Sequence, residues 1–398
     1  MSNSKEQLYA ERLKRYTTAM RNGKPDRVPI RPFAAEFICN HSGYTCQEVT
    51  QDYQLAFEAT RKCCLDYDWD ATVPNMVYLW AGIPQAMGLR YYQVPGVGLD
   101  PKTGFNYLEP GEEHSFMRAD EYDEFIADPT AFLFNVWLPR VSGDVVAPGK
   151  PNTYRNNLAF FKASLGVLTY FTAFGPQVER MRTECGTPSA ICGMLKAPLD
   201  VLADKFRGYI GLCEDLMIQP EKVKAACEAM MPHLLHLAIG SADPTKTLPL
   251  GFWMHRTCVP FISQEHFDNI HWPTLKPMLD ELWRRGHQVL FYAEGKWDAH
   301  LDTFAELPEQ SIIFHIDRTD PLAAHRALHH KFALSGGVPN YLLAFGTPQQ
   351  VRDCCKKLID EIGRDGGYIM DAAAIMQNDT TVENMKAMTE FTCEYGVY

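Results

Sequence analysis

Acidic and imidazole side chains lie at the ends of several predicted strands in the second half of the chain. Glu294 and Asp317 each end a predicted buried strand, and His255 ends another. His315 comes two residues before Asp317, so both side chains project from one side of their strand. Carboxylates and imidazoles at strand ends are suited to bind a metal ion or to exchange protons with a substrate. We therefore take Glu294 as a candidate metal ligand and His255, His315 and Asp317 as candidate catalytic residues.

Aromatic residues make up 12% of the chain, which suits a pocket for a flat apolar ligand as well as a well-packed core. The candidates for lining such a pocket lie at or just beyond the ends of predicted strands. They are Phe33, Glu36, Phe37, Tyr78, Trp80, Trp253 and Tyr292.

The overall composition narrows the class of protein. The chain has 398 residues, of which 46% are hydrophobic and 22% charged, an ordinary globular composition. A net charge of −11 argues against nucleic acid as the main partner, because phosphate binding needs a basic surface. Twelve cysteines without a CxxC pair, and a polar N-terminus without a signal-peptide apolar region, predict reduced thiols in the cytoplasm. No uninterrupted apolar run reaches about 18 residues, so no membrane partner is expected.

Strands and helices alternate along most of the chain, which predicts an α/β fold with a parallel sheet. About eight such units favour a closed (β/α)8 TIM barrel over an open sheet, in a single domain spanning residues 1–398. An amphipathic helix over 4–21 forms an N-terminal extension, and the Gly- and Pro-rich residues 82–157 form an insertion near the barrel mouth. The strands are expected at 71–73, 189–195, 250–255, 288–294, 311–317, 332–338 and 368–370, after a short one that ends near residue 36.

Five short segments resemble the uroporphyrinogen decarboxylase superfamily of barrels. They are residues 23–29 (GKPDRVP), 193–198 (GMLKAP), 343–348 (LAFGTP), 366–370 (GGYIM) and 383–388 (ENMKAM). Together they are spread along most of the chain outside the predicted insertion. The resemblance implies a TIM barrel whose site lies at the carboxyl ends of the strands.

The superfamily has two functional branches, and the residues favour one of them. The decarboxylase branch carries an arginine-rich motif for substrate propionates, whereas residues 33–37 here hold no arginine and only Arg31 is close by. The other branch, the corrinoid-dependent methyltransferases, typically binds zinc through His-x-Cys and a late Cys. Tyr292, Glu294 and Ala374 stand at those positions here. Loss of the thiolates suggests an oxygen-centred substrate rather than a thiol.

A further spacing matches a narrower group within that branch. Glu294, Glu309 and His330 form Glu-x14-Glu-x20-His, the zinc-binding spacing of the methyltransferases of anaerobic aryl methyl ether (veratrol-type) O-demethylases. The resemblance thus implies these three as zinc ligands. The predicted topology separates them, since Glu309 and His330 precede their strands whereas Glu294 follows its own.

The combined expectation is a zinc-dependent methyltransferase that moves a methyl group from an aryl methyl ether to the cob(I)alamin of a separate corrinoid protein. Zinc on the ether oxygen would stabilise the leaving phenolate, or His255 or His315 would protonate it. The alternatives are a uroporphyrinogen-decarboxylase-like enzyme, a methyltransferase for methylamine, methanol or a methyl thiol, and a barrel without catalytic activity.

Overall fold

Helices and parallel strands alternate along the chain. The computed structural model describes residues 4–75, 80–109, 115–258 and 261–398. The helices are α1 Lys5–Met20, α2 Phe37–Ser42, α3 Cys46–Gln51, α4 Tyr53–Asp66, α5 Gly82–Met87, α6 Tyr122–Ala127, α7 Pro129–Phe132, α8 Leu138–Val141, α9 Tyr154–Thr172, α10 Phe174–Arg180, α11 Pro198–Val201, α12 Tyr209–Ile218, α13 Pro220–Ser241, α14 Gln264–His266, α15 Trp272–Arg284, α16 Leu301–Phe304, α17 Pro321–Leu328, α18 Asn340–Phe345, α19 Pro348–Leu358 and α20 Val382–Tyr395.

The strands fall into two sheets. The strands are β1 Tyr92–Pro95, β2 Gly98–Leu99, β3 Asn106–Tyr107, β4 Gly193–Leu195, β5 Leu250–Met254, β6 Val289–Ala293, β7 Ile312–Ile316, β8 Ala333–Gly336 and β9 Tyr368–Ile369. Strands β4 to β9 pair in chain order, all parallel, and β1 to β3 form a separate small sheet.

Two short extended segments close the larger sheet into a barrel. Thr72 forms a parallel bridge with Ser189, just before β4, and Ile30 forms one with Met370, just after β9. The two segments meet each other through the Asp70 amide, which donates to the Ile30 carbonyl at 2.8 Å. The hydrogen bonds therefore run around a complete ring, and the predicted TIM barrel is confirmed.

Strands β5, β6 and β7 are buried along their whole length, as expected for parallel strands covered by helices on one side and enclosing a core on the other. Alternate residues divide between the two environments. Leu290 and Tyr292 point into the barrel, whereas Val289 and Phe291 pack in the layer between the strands and the outer helices. This alternation places the side chains of Trp253, Tyr292 and His315 together inside the barrel.

Helix α1 plugs one end of the barrel. Its residues Tyr16, Ala19 and Met20 are buried in the same cluster as the interior strand residues. The Tyr16 hydroxyl donates to the Ala190 carbonyl at 2.9 Å, and the Gln288 side-chain amide donates to the Met20 carbonyl at 2.7 Å. Gln288 precedes β6, so the plugged end is the one where the strands begin. A substrate must enter at the other end, where the strands finish.

Residues between the Thr72 segment and β4 lie partly over those strand ends. Glu109, just after the small sheet, accepts a hydrogen bond from the Arg256 guanidinium at 2.7 Å. The backbone at Gly104 approaches the Glu36 carboxylate so closely that a Cβ there would clash with it. The predicted insertion bounds of 82–157 stay a prediction, although these contacts fit a cap.

Helix α9 presents large apolar side chains to solvent. Tyr154, Phe161, Leu168 and Phe171 are each more than half exposed. By length and composition alone, the helical stretch Tyr154–Cys185 could cross a membrane, and 17% of its most apolar window is buried. A single stretch of this kind is weak evidence, and the expectation of no membrane partner stays a prediction.

Candidate active site at the barrel mouth

Three predicted site residues follow adjacent strands at one level of the mouth. The register pairs Met254 with Ala293 and Ala293 with Ile316, the last residues of β5, β6 and β7. The next residues along the chain, His255 and Glu294, are therefore level, with Asp317 beside them. All three are partly exposed. The structure thus brings together the three strand-end residues that the sequence nominated.

An indole hydrogen bond orients the Glu294 carboxylate. The Nε1–H of Trp253 donates to Glu294 Oε2 at 2.8 Å. The Trp253 ring in turn stacks on Tyr292, with centroids 3.7 Å apart and planes at 15°. Because Trp253 is 9% exposed and Tyr292 is 1% exposed, these rings form the floor of the mouth rather than its walls.

The floor continues across the barrel. Tyr292 stacks on His315 at 4.0 Å between centroids, and Phe33 meets both Trp253 and Tyr292 edge-on at 5.8 and 5.1 Å. The Tyr292 hydroxyl oxygen is buried and has no hydrogen-bond partner. Burial raises the pKa of Tyr292 well above its ordinary value, so its phenol stays protonated.

A buried polar group contacts the floor through His315. Arg31 contacts Asp371 at 3.4 Å, and its Nη2 lies 3.3 Å from His315 Nδ1. His315 Nε2 is 3.0 Å from the Ala373 carbonyl, which can only accept, so we assign the proton to Nε2. Burial, followed by the charge of Arg31, lowers the pKa of His315 well below its ordinary value. His315 is therefore neutral and fully buried, and it supports Tyr292 rather than facing a substrate.

Two carboxyl groups at the mouth hold protons close to neutral pH. Burial raises the pKa of Asp317 to about 6, opposed by the Gly295 N–H that donates to it at 2.7 Å and reinforced by the charge of Glu294. Burial raises the pKa of Glu36 to about 7. One oxygen of Glu36, Oε2, is buried without a hydrogen-bond partner. Either group is suited to donate a proton near pH 7.

His255 belongs to a charged cluster on the neighbouring strand ends. Asp204 contacts Lys196 at 2.5 Å, Arg256 at 2.7 Å and His255 at 3.1 Å. Burial alone would raise the pKa of Asp204, but the hydrogen bond from His255 and the charge of Lys196 hold it well below its ordinary value. The Lys196 ammonium donates to His255 Nδ1 at 2.9 Å. His255 is thus engaged on both ring nitrogens by other residues of the chain.

Lys205, next to Asp204 in the chain, is a buried cation that the sequence reasoning missed. Its ammonium lies 3.0 Å from the Tyr91 hydroxyl and 4.1 Å from the centre of that ring, with Tyr92 and Tyr107 also within 5.4 Å. Burial lowers the pKa of Lys205 to about 7, and the charge of Asp204 opposes this. No spacing signal links these residues, since about a hundred residues of chain separate the lysine from the tyrosines.

Several predicted residues do not join the mouth. Glu309 and His330 are exposed and precede β7 and β8, at the plugged end of the barrel, so the structure does not bring them to Glu294. Phe37 packs on the outer side of the barrel wall near His41 and Tyr67.

A further aromatic candidate, Trp80, also lies away from the mouth. The Trp80 indole donates to the Gln51 carbonyl at 2.8 Å and packs against Tyr53. Tyr78 lies outside the described residues.

Zinc in a catalytic site normally has three protein ligands. Among the described residues, no three carboxylate, imidazole or thiol groups at the mouth have donor atoms within 4.8 Å of one another. One such group exists elsewhere, formed by His325, His329 and Asp365. A possible metal site is therefore present, but on the outer wall near the plugged end.

Comparisons with known proteins agree with this architecture. The model of the family described as uroporphyrinogen decarboxylase (URO-D) matches residues 168–395, more than half of the chain. A solved structure of a methyltransferase from Methanosarcina mazei is similar at a TM-score of 0.63 and 13% sequence identity, covering 96% of this chain and 98% of that chain. At that identity the likeness concerns the fold. The search of curated proteins found no match.

Proposed function

Because this chain belongs to the uroporphyrinogen decarboxylase family, we propose that it is a methyltransferase of that family, acting on an aryl methyl ether. The methyl group passes to the cobalt(I) of a separate corrinoid protein. The observation that carries the proposal is the floor of Phe33, Trp253 and Tyr292 directly below the Glu294 carboxylate. Such a floor suits an aromatic ring whose polar substituent faces the strand ends.

Two further observations favour methyl transfer over decarboxylation of a polyacid. The residues that follow Arg31 carry no arginine cluster to bind several carboxylates, and Arg31 itself is buried against Asp371. The fold is also shared with a methyltransferase over nearly the whole of both chains.

The reaction balances as a nucleophilic displacement. Cobalt(I) of the partner attacks the methyl carbon and supplies the electron pair of the new cobalt–carbon bond. The carbon–oxygen bond breaks, and its electron pair stays on the phenolate oxygen. A proton transferred to that oxygen as the bond breaks gives the phenol. The products are the phenol and methylcobalt(III) on the partner.

The proton comes from a carboxyl group of the mouth. Asp317 is beside Glu294, and its pKa of about 6 keeps part of the population protonated near neutral pH. Glu36, with a pKa of about 7, is the second donor. Protonation of the leaving oxygen by a positioned acid typically accelerates such a step by roughly 10²–10⁴-fold. The Glu294 carboxylate accepts a hydrogen bond from Trp253 and orients the substrate's polar edge.

Zinc at the mouth does not fit the described residues as a site with three protein ligands, so no step is assigned to it. Glu294 offers one carboxylate beside Asp317, and among the residues that the structure describes no third ligand converges on them. The zinc implied by the family spacing stays a prediction, which metal analysis tests.

The test compares two glutamates that the family spacing treats alike. Purified protein is incubated with a methoxylated benzene or benzoate and a reduced corrinoid protein, and methylcobalt formation and phenol release are measured. We expect Glu294→Gln to lose at least roughly 10²-fold in rate. Glu309→Gln, exposed at the plugged end, should retain the wild-type rate.

Three results would count against the proposal. Equal loss in both variants would mean that the spacing, not the mouth geometry, identifies the functional residues. Phenol-free turnover of methylamine or methanol would replace the ether as substrate. Release of CO₂ from a porphyrinogen without a corrinoid protein would assign the chain to decarboxylation.

A further inference from the structure

A second cluster of metal-ligating side chains lies far from the barrel mouth. His325 is on α17, His329 is the residue that ends that helix, and Asp365 lies in the turn before β9. One donor atom from each of the three is within 4.8 Å of the other two. None of these residues takes part in the function proposed above.

The helix backbone sets the two imidazoles side by side. The His329 amide donates to the His325 carbonyl at 3.0 Å, so the helical turn between them is intact. Residues four apart in a helix share one face. The two rings accordingly stack with centroids 4.2 Å apart and planes at 18°. Paired imidazoles at this spacing are a frequent half-site for zinc.

The donor types of the cluster suit a divalent metal ion, since imidazole nitrogens and carboxylate oxygens are ordinary zinc ligands. His329 Nδ1 is buried and has no hydrogen-bond partner. Asp365 is exposed, and its carboxylate supplies the negative charge that a divalent ion requires.

The cluster sits where several distant segments of the chain meet. The Asn22 amide donates to the His329 carbonyl at 2.6 Å, and the Gly367 N–H donates to the Gly23 carbonyl at 2.9 Å. The Leu334 N–H of β8 donates to the Gly367 carbonyl at 2.7 Å. An ion held here would join the last two strand–helix units beside the connection that follows α1.

We propose that His325, His329 and Asp365 bind one zinc ion that has a structural role. The two imidazole nitrogens and one carboxylate oxygen supply three ligands, and water supplies the fourth. Zinc–ligand bonds of about 2.0–2.1 Å place tetrahedral ligands roughly 3.4 Å apart. The donor atoms, which lie within 4.8 Å of one another, therefore reach that spacing by small side-chain rotations.

The location separates this ion from the chemistry at the mouth. His329 and Asp365 precede their strands, whereas Glu294 and Asp317 follow theirs. The bound ion therefore contributes to stability and not to methyl transfer. A zinc analysis of the intact protein would count the ion at this site even if the mouth binds none.

The test measures zinc binding and melting on metal-free protein. Titration with ZnCl₂ should show about one equivalent bound by the wild type, with a rise in Tm of roughly 2–4 °C in excess zinc. The double variant His325→Ala/Asp365→Asn should lose the equivalent and the rise. His330→Ala, which changes the exposed neighbouring histidine, and Glu294→Gln should keep both. Circular dichroism of metal-free samples checks that each variant is folded.

Each contrary result is distinct. Zinc binding by the folded double variant at the wild-type stoichiometry and affinity would overturn the site, as would no binding by the wild type in excess zinc. Zinc lost in Glu294→Gln but kept in the double variant would move the ion to the mouth. A failed ether assay with intact zinc binding would reject the proposed function and leave this site standing.

Discussion

Single hydrogen bonds at the mouth connect the aromatic floor to the candidate chemistry. The Glu294 carboxylate accepts from the Trp253 indole, and that indole belongs to the floor itself. The orientation of the Glu294 carboxylate therefore depends on the stacking of Trp253 with Tyr292. Changes to either ring should therefore affect the carboxylate as well as the surface that holds the substrate's ring.

The substitution Trp253→Phe tests how far the Glu294 carboxylate depends on the indole hydrogen bond. The phenyl ring keeps the stack on Tyr292 but cannot donate to Glu294, and a hydrogen bond to a charged group is worth about 1.5–3 kcal/mol. We expect the methyl-transfer rate to fall roughly 10- to 100-fold while Tm changes little. Trp80→Phe, which removes an indole bond to Gln51 away from the mouth, is the control. A rate unchanged in Trp253→Phe would separate Glu294 from the chemistry.

Glu36 links its protonation to stability. Burial raises the pKa of Glu36 from its ordinary 4.5 to about 7 in the folded chain. Because the pKa of Glu36 is higher in the folded chain, protonation of Glu36 adds to the free energy of unfolding. This contribution is fully present below about pH 4.5 and is lost as the pH rises through about 7. The difference corresponds to about 3 kcal/mol.

Glu36→Gln stays neutral at every pH, so it should be more stable than the wild type at pH 8 by up to about 3 kcal/mol, and similar at low pH. Urea unfolding at both pH values measures this. The exposed Glu265→Gln should show equal differences at the two values. A Glu36→Gln effect independent of pH would mean that the carboxyl is ionised in the folded protein.

At the scale of elements, α1 determines which end of the barrel is open. It contributes Tyr16, Ala19 and Met20 to the interior cluster and so closes the end where the strands begin. The buried strands β5 to β7 present their last residues at the other end. The polarity of the site therefore follows from one amphipathic helix and from strand direction.

Tyr16→Ala should destabilise the fold strongly. It removes a fully buried aromatic side chain and the hydrogen bond from its hydroxyl to the Ala190 carbonyl. Large-to-small changes of this kind cost about 3–5 kcal/mol. Lys14→Ala, on the exposed face of the same helix, should change the free energy of unfolding by less than about 0.5 kcal/mol. Equal effects in the two variants, measured by denaturant unfolding, would contradict the plug.

At the scale of the whole molecule, a buried ion network ties the plug helix α1 to the first two barrel segments. Asp70 is fully buried, lies 2.8 Å from Arg27 and 2.5 Å from Arg15 of α1, and accepts the Ile30 amide at 2.8 Å. It thereby joins the plug helix to the first two barrel segments. Asp68 contacts Arg27 from a side chain that is 53% exposed.

The two aspartates differ in burial, so their substitution should differ in effect. Asp70→Asn removes the buried carboxylate from Arg15 and Arg27, which keep only their more exposed partners Asp26 and Asp68. Breaking a buried pair costs about 3–5 kcal/mol. Asp68→Asn should cost less than about 1 kcal/mol, because exposed pairs contribute little. Thermal or urea unfolding of the two variants tests this. A similar loss in both would show that burial of Asp70 is not what makes the network stabilising.

Much of the fold was predictable from local pattern. The buried runs that became β5, β6 and β7, the helix over 4–21 and the alternation of elements follow from hydrophobic periodicity, which depends on neighbours in the chain. The placement of His255, Glu294 and Asp317 at adjacent strand ends follows from parallel strands in chain order. The short segments at Ile30 and Thr72 carry weaker signals because only isolated bridges pair them.

Local sequence pattern could not predict the contacts between residues far apart in the chain. The Glu294-x14-Glu309-x20-His330 spacing indicated one metal site, yet strand direction puts its first member at the mouth and the other two at the plugged end. Lys205 meets its tyrosine neighbours, and Asp365 its two histidines, only through the tertiary structure of the barrel. Spacing along a chain reports position within an element, whereas ligation and desolvation depend on distances across elements, which the closure of the barrel sets.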